Sequence, residues 1–281
     1  MSVAEQRDAV QFLVTQGLSV LRACVLVQIN RSSFLYQPRD RVDDPVADEV
    51  RALAQANPRY GYRRAWALLR RKYVINRKRV HRLWKRARLQ VVRVSRRHRK
   101  RERRVVLVAA YPNHIWAYDF LEDTDIHGQT FAVLTIIDEY TREGLAIAAA
   151  STTSAAWVIQ LLEELVVRHG VPAMIRSDNG AEFVALTVQA WLKRHDIFPV
   201  LTDLGSPWQN GKEERFNGTV RDECLNMFVF TSLQEARIRL ETFRNHYNTE
   251  RPHSRLAYQT PLEFKQAWND ANNQSDSLIA T

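Results

Sequence analysis

Two residue types are nearly missing from this chain. Only Cys24 and Cys224 occur in 281 residues, which excludes a disulfide scaffold and a four-cysteine zinc site and fits a reducing compartment. Glycine numbers nine, under half the usual ~7 %, so many helices and few tight hairpins are expected. Long apolar runs are absent too. The longest, such as Phe131 to Ile137 and Leu145 to Ala150, fall far below the ~20 residues that span a bilayer, and no charged-then-apolar signal opens the chain. The expectation is a soluble, intracellular protein with no membrane partner. At one domain per ~150 residues, the length suggests two domains.

Acidic residues are scarce in one stretch only. Residues 1–104 hold 27 Lys and Arg against 8 Asp and Glu, whereas residues 105–281 hold 14 against 23. Between Arg59 and Arg104 stand 21 basic residues and a single acid, Glu102. Such a density repels itself unless counter-charges such as phosphates lie alongside, while an ordinary solvated helical face mixes both signs.

Periodicity organises the basic half as helices. Val10, Leu13 and Val14, then Leu21, Cys24 and Val25, mark two segments of a small helix-turn-helix over residues 1–40. Tyr62, Trp66, Leu69 and Tyr73 define one amphipathic helix, and Val80, Leu83, Trp84 and Ala87 a second, with Asn76 placed to cap it. The outward face of the second helix carries Arg77, Lys78, Arg82, Lys85 and Arg86, which suits docking in a major groove with flanks on phosphates. Residues 92–104 read as an extended basic connector, closing a DNA-binding region over 41–104.

After Arg104 the period switches. His114 to Leu121 alternates Ile115, Ala117, Asp119 and Leu121 against Trp116, Tyr118 and Phe120, a strand with both faces buried. Phe131–Ile137 and Gly144–Ala149 are two more strands, followed by a helix at Ser154–His169, a strand at Ala173–Ile175, a helix around Ala181–Arg194 and a strand at Phe198–Leu201. Further helices follow Ser206 and Ser232. The fold class is α/β: a mixed sheet with helices on both faces, behind an all-α region.

Three acids stand out in that second half. Asp119 sits mid-strand among apolar neighbours, where an unpaired carboxylate costs several kcal/mol, so either an internal salt bridge or a ligand must offset it. Asp178 follows a short strand in Arg176-Ser177-Asp178-Asn179-Gly180, where open sheets expose their ligands, although Asp-Asn-Gly is also an ordinary turn and Asn179 with Glu182 can form a capping box. The third comes from Glu213-Glu214, on a helix that Ser206, Pro207 and Gln209 are placed to start. There Glu213 aligns with Phe216 and Val220, and Glu214 with Asn217 and Arg221. Two strand-end aspartates and a helical glutamate are the hard oxygen ligands that Mg²⁺ or Mn²⁺ requires, and two such ions roughly 4 Å apart could serve an in-line displacement at phosphorus.

The sequence resembles the DDE transposases of bacterial insertion sequences, whose core is shared with retroviral integrases. Between Asp178 and Glu214 lie 35 residues, the spacing typical of that group, and Ile175-Arg176-Ser177-Asp178-Asn179-Gly180-Ala181-Glu182-Phe183 is similar to the segment around its second aspartate. Gly205-Ser206-Pro207-Trp208-Gln209-Asn210 through Gly218 resembles the segment bearing its glutamate, which falls on Glu214. Trp116-Ala117-Tyr118-Asp119-Phe120 matches the first aspartate. Tyr247-Asn248, Arg251-Pro252-His253-Ser254 and Thr260-Pro261-Leu262-Glu263-Phe264 resemble the family's C-terminal signature, with Ala257 where relatives usually have glycine. Asn57-Pro58-Arg59-Tyr60-Gly61-Tyr62-Arg63-Arg64 is similar to the helical region ahead of the core.

The resemblance implies a ribonuclease-H-like core of five strands over residues 105–270, with 271–281 a flexible tail. It implies that Asp119, Asp178 and Glu214 hold two Mg²⁺ or Mn²⁺ ions per site. The substrate is double-stranded DNA, at the element's inverted-repeat ends and at the target, with attack by water or a 3′-hydroxyl and no covalent enzyme intermediate. Arg59, Arg77, Lys78, Arg82, Lys85 and Arg86 are the expected end contacts, Lys212 and Arg215 the phosphate contacts near the metals, and Trp208 a stacking platform or a core aromatic. Acting on two ends implies at least a dimer on DNA, in the bacterial cytoplasm at the nucleoid, and the family implies an upstream-frame protein or fusion. A non-catalytic DNA-binding regulator of transposition and a nuclease cutting RNA in hybrids are the rival expectations.

Overall fold

The computed structural model describes residues 1–36, 44–91, 107–177, 185–201 and 211–279, and divides into two compact units, Met1–Glu49 and Val50–Thr281. The smaller unit opens with α1 (Val3–Thr15), α2 (Val20–Val27) and α3 (Arg31–Leu35). A capping box starts α1: Ser2 accepts from the Glu5 amide at 3.3 Å, and Glu5 accepts from the Ser2 amide at 2.7 Å. Val10, Ala23, Cys24 and Ile29 form its core, so Cys24 serves as a small buried hydrophobe.

Helix α4 (Pro45–Ala56) spans the division between the units. The larger unit therefore holds the basic helices together with the α/β core, whereas the sequence expectation separates them at residue 104. Helices α5 (Tyr62–Leu69) and α6 (Arg77–Arg86) form a hairpin. Asn76 accepts from the Lys78 amide at 2.8 Å, capping α6, and Trp66 donates its indole N–H to the Ile75 carbonyl at 3.0 Å, closing the turn.

Five strands follow: β1 (Ile115–Thr124), β2 (Thr130–Asp138), β3 (Gly144–Ala150), β4 (Met174–Ser177) and β5 (Phe198–Leu201), in spatial order β3-β2-β1-β4-β5. The first three form an antiparallel meander, and β4 and β5 add to β1 in parallel. Alternation along β1 splits the core as expected. Trp116 and Tyr118 pack with α7 (Ala155–His169) and α8 (Leu186–Arg194), while Ala117 faces α9 (Glu213–Glu223) and α10 (Leu233–Thr249) on the opposite side.

Helix α7 is capped by Ser154, which accepts from the Trp157 amide, and ends at Gly170 with φ of 87°. The helix expected around Ala181–Arg194 is described from Leu186. The start expected at Ser206 lies outside the described residues, and α9 begins at Glu213. Helix α11 (Pro261–Ile279) runs through the segment expected as a flexible tail. Past residue 270, Asn272 donates its side-chain NH₂ one turn back to the Trp268 carbonyl at 2.8 Å.

Strands β2 and β3 slip register at Ile136/Ile137, which leaves the start of β3 in need of partners. Asn248 supplies both. Its amide oxygen accepts from the Gly144 N–H and its NH₂ donates to the Gly144 carbonyl, each at 2.9 Å. A Cβ at Gly144 would lie 2.8 Å from the buried ring of Phe216 on α9, so close approach of helix and strand requires glycine there.

Candidate active site and nucleic-acid face

Asp119 lies midway along β1 and is half-buried on the face beneath α9. Its Oδ1 accepts from the Phe120 amide at 2.8 Å, and its Oδ2 from the side-chain NH₂ of Asn217 on α9 at 2.9 Å. Thr135 stands directly opposite Asp119 in the β1/β2 register. The Thr135 hydroxyl lies 2.6 Å from Asn217 Oδ1 and 2.7 Å from Glu213 Oε1. The same hydroxyl lies 3.0 Å from the Asp119 carbonyl, so one donor stands among three acceptor oxygens.

Glu213 is one of the three. It is fully buried, and desolvation, reinforced by the charge of Asp119, raises its pKa well above the ordinary carboxylate range. Thr135 links Glu213 and Asn217 through its hydroxyl, and the Asn217 NH₂ donates to Asp119. Glu213 thus belongs to the interior with Phe216 and Val220, as its helical phase indicated. Glu214 is exposed, one turn ahead of Asn217 on the same helix.

Strand β4 runs parallel to β1, with Ala117 opposite Arg176, and its last described residue, Ser177, immediately precedes Asp178. Asp178 and Trp208 lie outside the described residues. Among the described residues no three His, Cys, Asp or Glu side chains form a metal-binding group.

A buried ion network flanks these acids. Glu139, in the turn after β2, has a fully buried side chain that pairs with the guanidinium of Arg176 through Oε1 and with the ammonium of Lys212 through Oε2 at 2.7 Å. Burial draws the Lys212 pKa below its ordinary value against the pull of Glu139. Lys212 is therefore engaged by a carboxylate, and Arg215 is exposed.

On the helical hairpin, Arg77, Lys78, Arg82, Lys85 and Arg86 are all exposed while Val80 and Trp84 are buried. The basic connector over 92–104 lies outside the described residues. Arg59 is paired with Asp222 at the end of α9. Beside it Arg64 reaches Glu223 at 2.7 Å, and Arg251 grips the same carboxylate with two hydrogen bonds at 2.7 and 2.8 Å. Tyr60 also meets His246 at 3.0 Å, and Arg71 pairs with Glu263 at 2.8 Å. Sequence reading missed Thr135, Glu139, Arg176 and Asn217. Asn217 had a signal in its phase with Glu214, and Arg176 in being a charge inside an apolar strand.

Known families match the chain in three regions. Residues 41–99 match an HTH-like domain, and residues 109–207 and 195–261 match two models each described as an integrase core domain. An uncharacterized 39.2 kDa protein of insertion element IS476 from Xanthomonas euvesicatoria is 37% identical over 283 residues, covering 98% of this chain and 80% of that protein. Transposase InsD for insertion element IS2 of Escherichia coli is 28% identical over 271 residues, covering 90% of this chain and 89% of the relative. The fold is also that of a chain in the simian T-cell lymphotropic virus intasome, solved by cryo-EM with the PP2A regulatory subunit B56 gamma. There the TM-score is 0.52 at 14% identity, over 77% of this chain and 74% of the other. An integrase core behind an HTH-like region defines a polynucleotidyl transferase. The chain belongs to the DDE transposases of bacterial insertion sequences. Among its described residues no helix is long and apolar enough to cross a membrane.

Proposed function

We propose that this transposase cleaves DNA at the terminal inverted repeats of its element and joins the freed end to target DNA, with Asp119, Asp178 and Glu214 as its acidic triad. The observation that carries the reading is the contact of Asn217 with Asp119, which seats the first turn of α9, and Glu214 with it, over β1. Asp119 and Asp178 each stand two positions beyond the paired residues Ala117 and Arg176. The donor set is all carboxylate oxygen, which fits Mg²⁺ or Mn²⁺.

When bound, two such ions supply activation of the attacking water or 3′-hydroxyl and stabilisation of the departing 3′-oxygen. The chain's own residues do the rest. Asn217 and the Phe120 amide fix both oxygens of Asp119, and Thr135 ties Asn217 to the buried Glu213. Arg77, Lys78, Arg82, Lys85 and Arg86 grip phosphates at the element's end, with Arg215, next to Glu214, nearer the scissile bond. Arg59 and Lys212 are engaged by Asp222 and Glu139 and contribute less to the DNA face. Joining two ends requires at least two copies on DNA, acting at the nucleoid in the bacterial cytoplasm, and an upstream-frame product is a natural partner for end recognition.

A strand-transfer assay on labelled inverted-repeat DNA with Mg²⁺ tests the assignment. Asp119→Asn, Asp178→Asn and Glu214→Gln should each lower product by about 100-fold or more, roughly the loss of 3 kcal/mol of transition-state stabilisation. Glu213→Gln, which keeps the size of a buried side chain outside the triad, should stay within about tenfold of the parent. Full activity in Asp178→Asn would overturn the triad, and binding without any joined product from the parent chain would point to a regulator.

A further inference from the structure

The turn that joins β2 to β3 touches all three segments that carry the acids. The backbone N–H of Glu139 donates to the Ile115 carbonyl at 2.9 Å, at the start of the strand that bears Asp119. Its carboxylate pairs with Arg176, two residues before Asp178, and with Lys212, two residues before Glu214, at 2.7 Å for the latter. Arg176 is itself held by the Leu107 carbonyl at 2.8 Å through its second nitrogen. The side chains of Glu139 and Arg176 are 0% and 2% exposed, so neither is a surface ion pair that water could replace.

We infer that Glu139 is a positioning residue that latches the strand leading to Asp178 and the start of the helix bearing Glu214 to one fixed turn, and that Lys212 is the movable arm of that latch. The inference rests on the acidic triad proposed above. Its physical basis is that metal affinity depends on groups that orient the ligands as well as on the ligands themselves, a dependence typically worth about 10- to 100-fold. Three acids on separate segments repel one another without ions, so a shared anchor that holds their flanks favours the geometry in which they converge. Arg176 has no access to solvent and can serve only the interior. Lys212, at 24% exposure, is the member through which the helix start could part from the turn.

The latch and a phosphate contact make opposite predictions for Lys212. The full chain is compared with Lys212→Gln, Lys212→Arg and Glu139→Gln by Mn²⁺ titration followed by electron paramagnetic resonance, and by DNA binding as a function of salt. Lys212→Gln should weaken Mn²⁺ binding about tenfold with DNA affinity within about twofold and an unchanged salt slope, and Lys212→Arg should restore the metal affinity. Glu139→Gln should reproduce the metal defect, and because it removes the carboxylate charge from a buried guanidinium, thermal melting checks its fold while the partly exposed Lys212 variant carries the test regardless. A drop in DNA affinity with the salt slope reduced by about one, and unchanged Mn²⁺ binding, would overturn the latch in favour of a phosphate contact. No change in either property would overturn it as well. Parent binding of Mn²⁺ that Asp119→Asn abolishes but Lys212→Gln leaves intact refutes the latch alone. Absence of Mn²⁺ binding by the parent refutes the triad and the latch with it.

Discussion

At the scale of single residues, the backbone at Ala257 carries a strain that the side chain neither needs nor relieves. Ala257 and Tyr258 both sit in the left-handed region, at φ of 50° and 68°, at the end of a short helical turn over Ser254–Leu256. Each L-residue there costs roughly 1 kcal/mol relative to glycine. Tyr258 is held by what its ring touches: Trp66 lies edge-on with centroids 5.6 Å apart, and the Arg70 guanidinium stands 5.9 Å from the ring. No comparable ring or ion pair recommends alanine at 257, whose carbonyl alone is used, accepting from Arg70 at 3.3 Å. Ala257→Gly should therefore stabilise the chain by about 1 kcal/mol in urea denaturation, with the carbonyl contact kept. A midpoint that falls would show that Ala257 is favoured by something other than backbone geometry.

Among the elements, α9 joins two functions along one rod. Its first turn bears Glu214, and its last residues, Asp222 and Glu223, receive Arg59 and Arg64 from the basic helical region. Glu223 and Arg251 are 9% and 4% exposed, and although burial works against its charge, Glu223 is held below the ordinary carboxylate range by Arg251 and Arg64. His253 completes the cluster, its Nε2 3.0 Å from an Arg251 nitrogen that can only donate. Burial, then the positive charges of Arg251, Arg64 and Arg142, push its pKa down to about 2, so the folded chain keeps the imidazole neutral. The unfolded chain takes up that proton below pH ~6.5 and the folded chain does not, so stability is full above that pH and declines as pH falls below it, by up to ~1.4 kcal/mol per unit. Loss of the Glu223 contribution begins lower, below its ordinary value of 4.5, and has the same sign. His253→Asn should flatten the decline between about pH 6.5 and 5 relative to the parent in denaturant titrations; parallel curves would show that the histidine is not held neutral.

For the whole molecule, what the sequence made legible is what repeats along the chain. Period 2 in β1 set Asp119 on a named face, period 3.6 set Glu213 inward and Glu214 outward, and polar residues such as Asn76, Ser154 and Ser232 marked helix starts. Tertiary pairing leaves no such trace. Arg64 and Glu223 are 159 positions apart, Arg71 and Glu263 192, and nothing in the local pattern of either joins them. For the same reason a cut drawn by charge at residue 104 differs from the division by compactness at residue 49, because acids of the core neutralise part of the basic region. Two consequences separate the pairing role of that region from its DNA role. A chain starting at residue 105 loses the arginines that pair with Asp222, Glu223 and Glu263 and the Tyr60 and Trp66 contacts with His246 and Tyr258, so it should melt several degrees lower, whereas a chain starting at Pro45 should melt within a few degrees of the parent. In the intact chain, glutamine at Arg77, Lys78, Arg82, Lys85 and Arg86 together should leave melting nearly unchanged, because all five are exposed, and should remove about four units from the salt slope of DNA binding, at ~0.9 per phosphate released. A slope that survives those five substitutions would move the DNA face off α6 and onto the remaining basic residues of the chain.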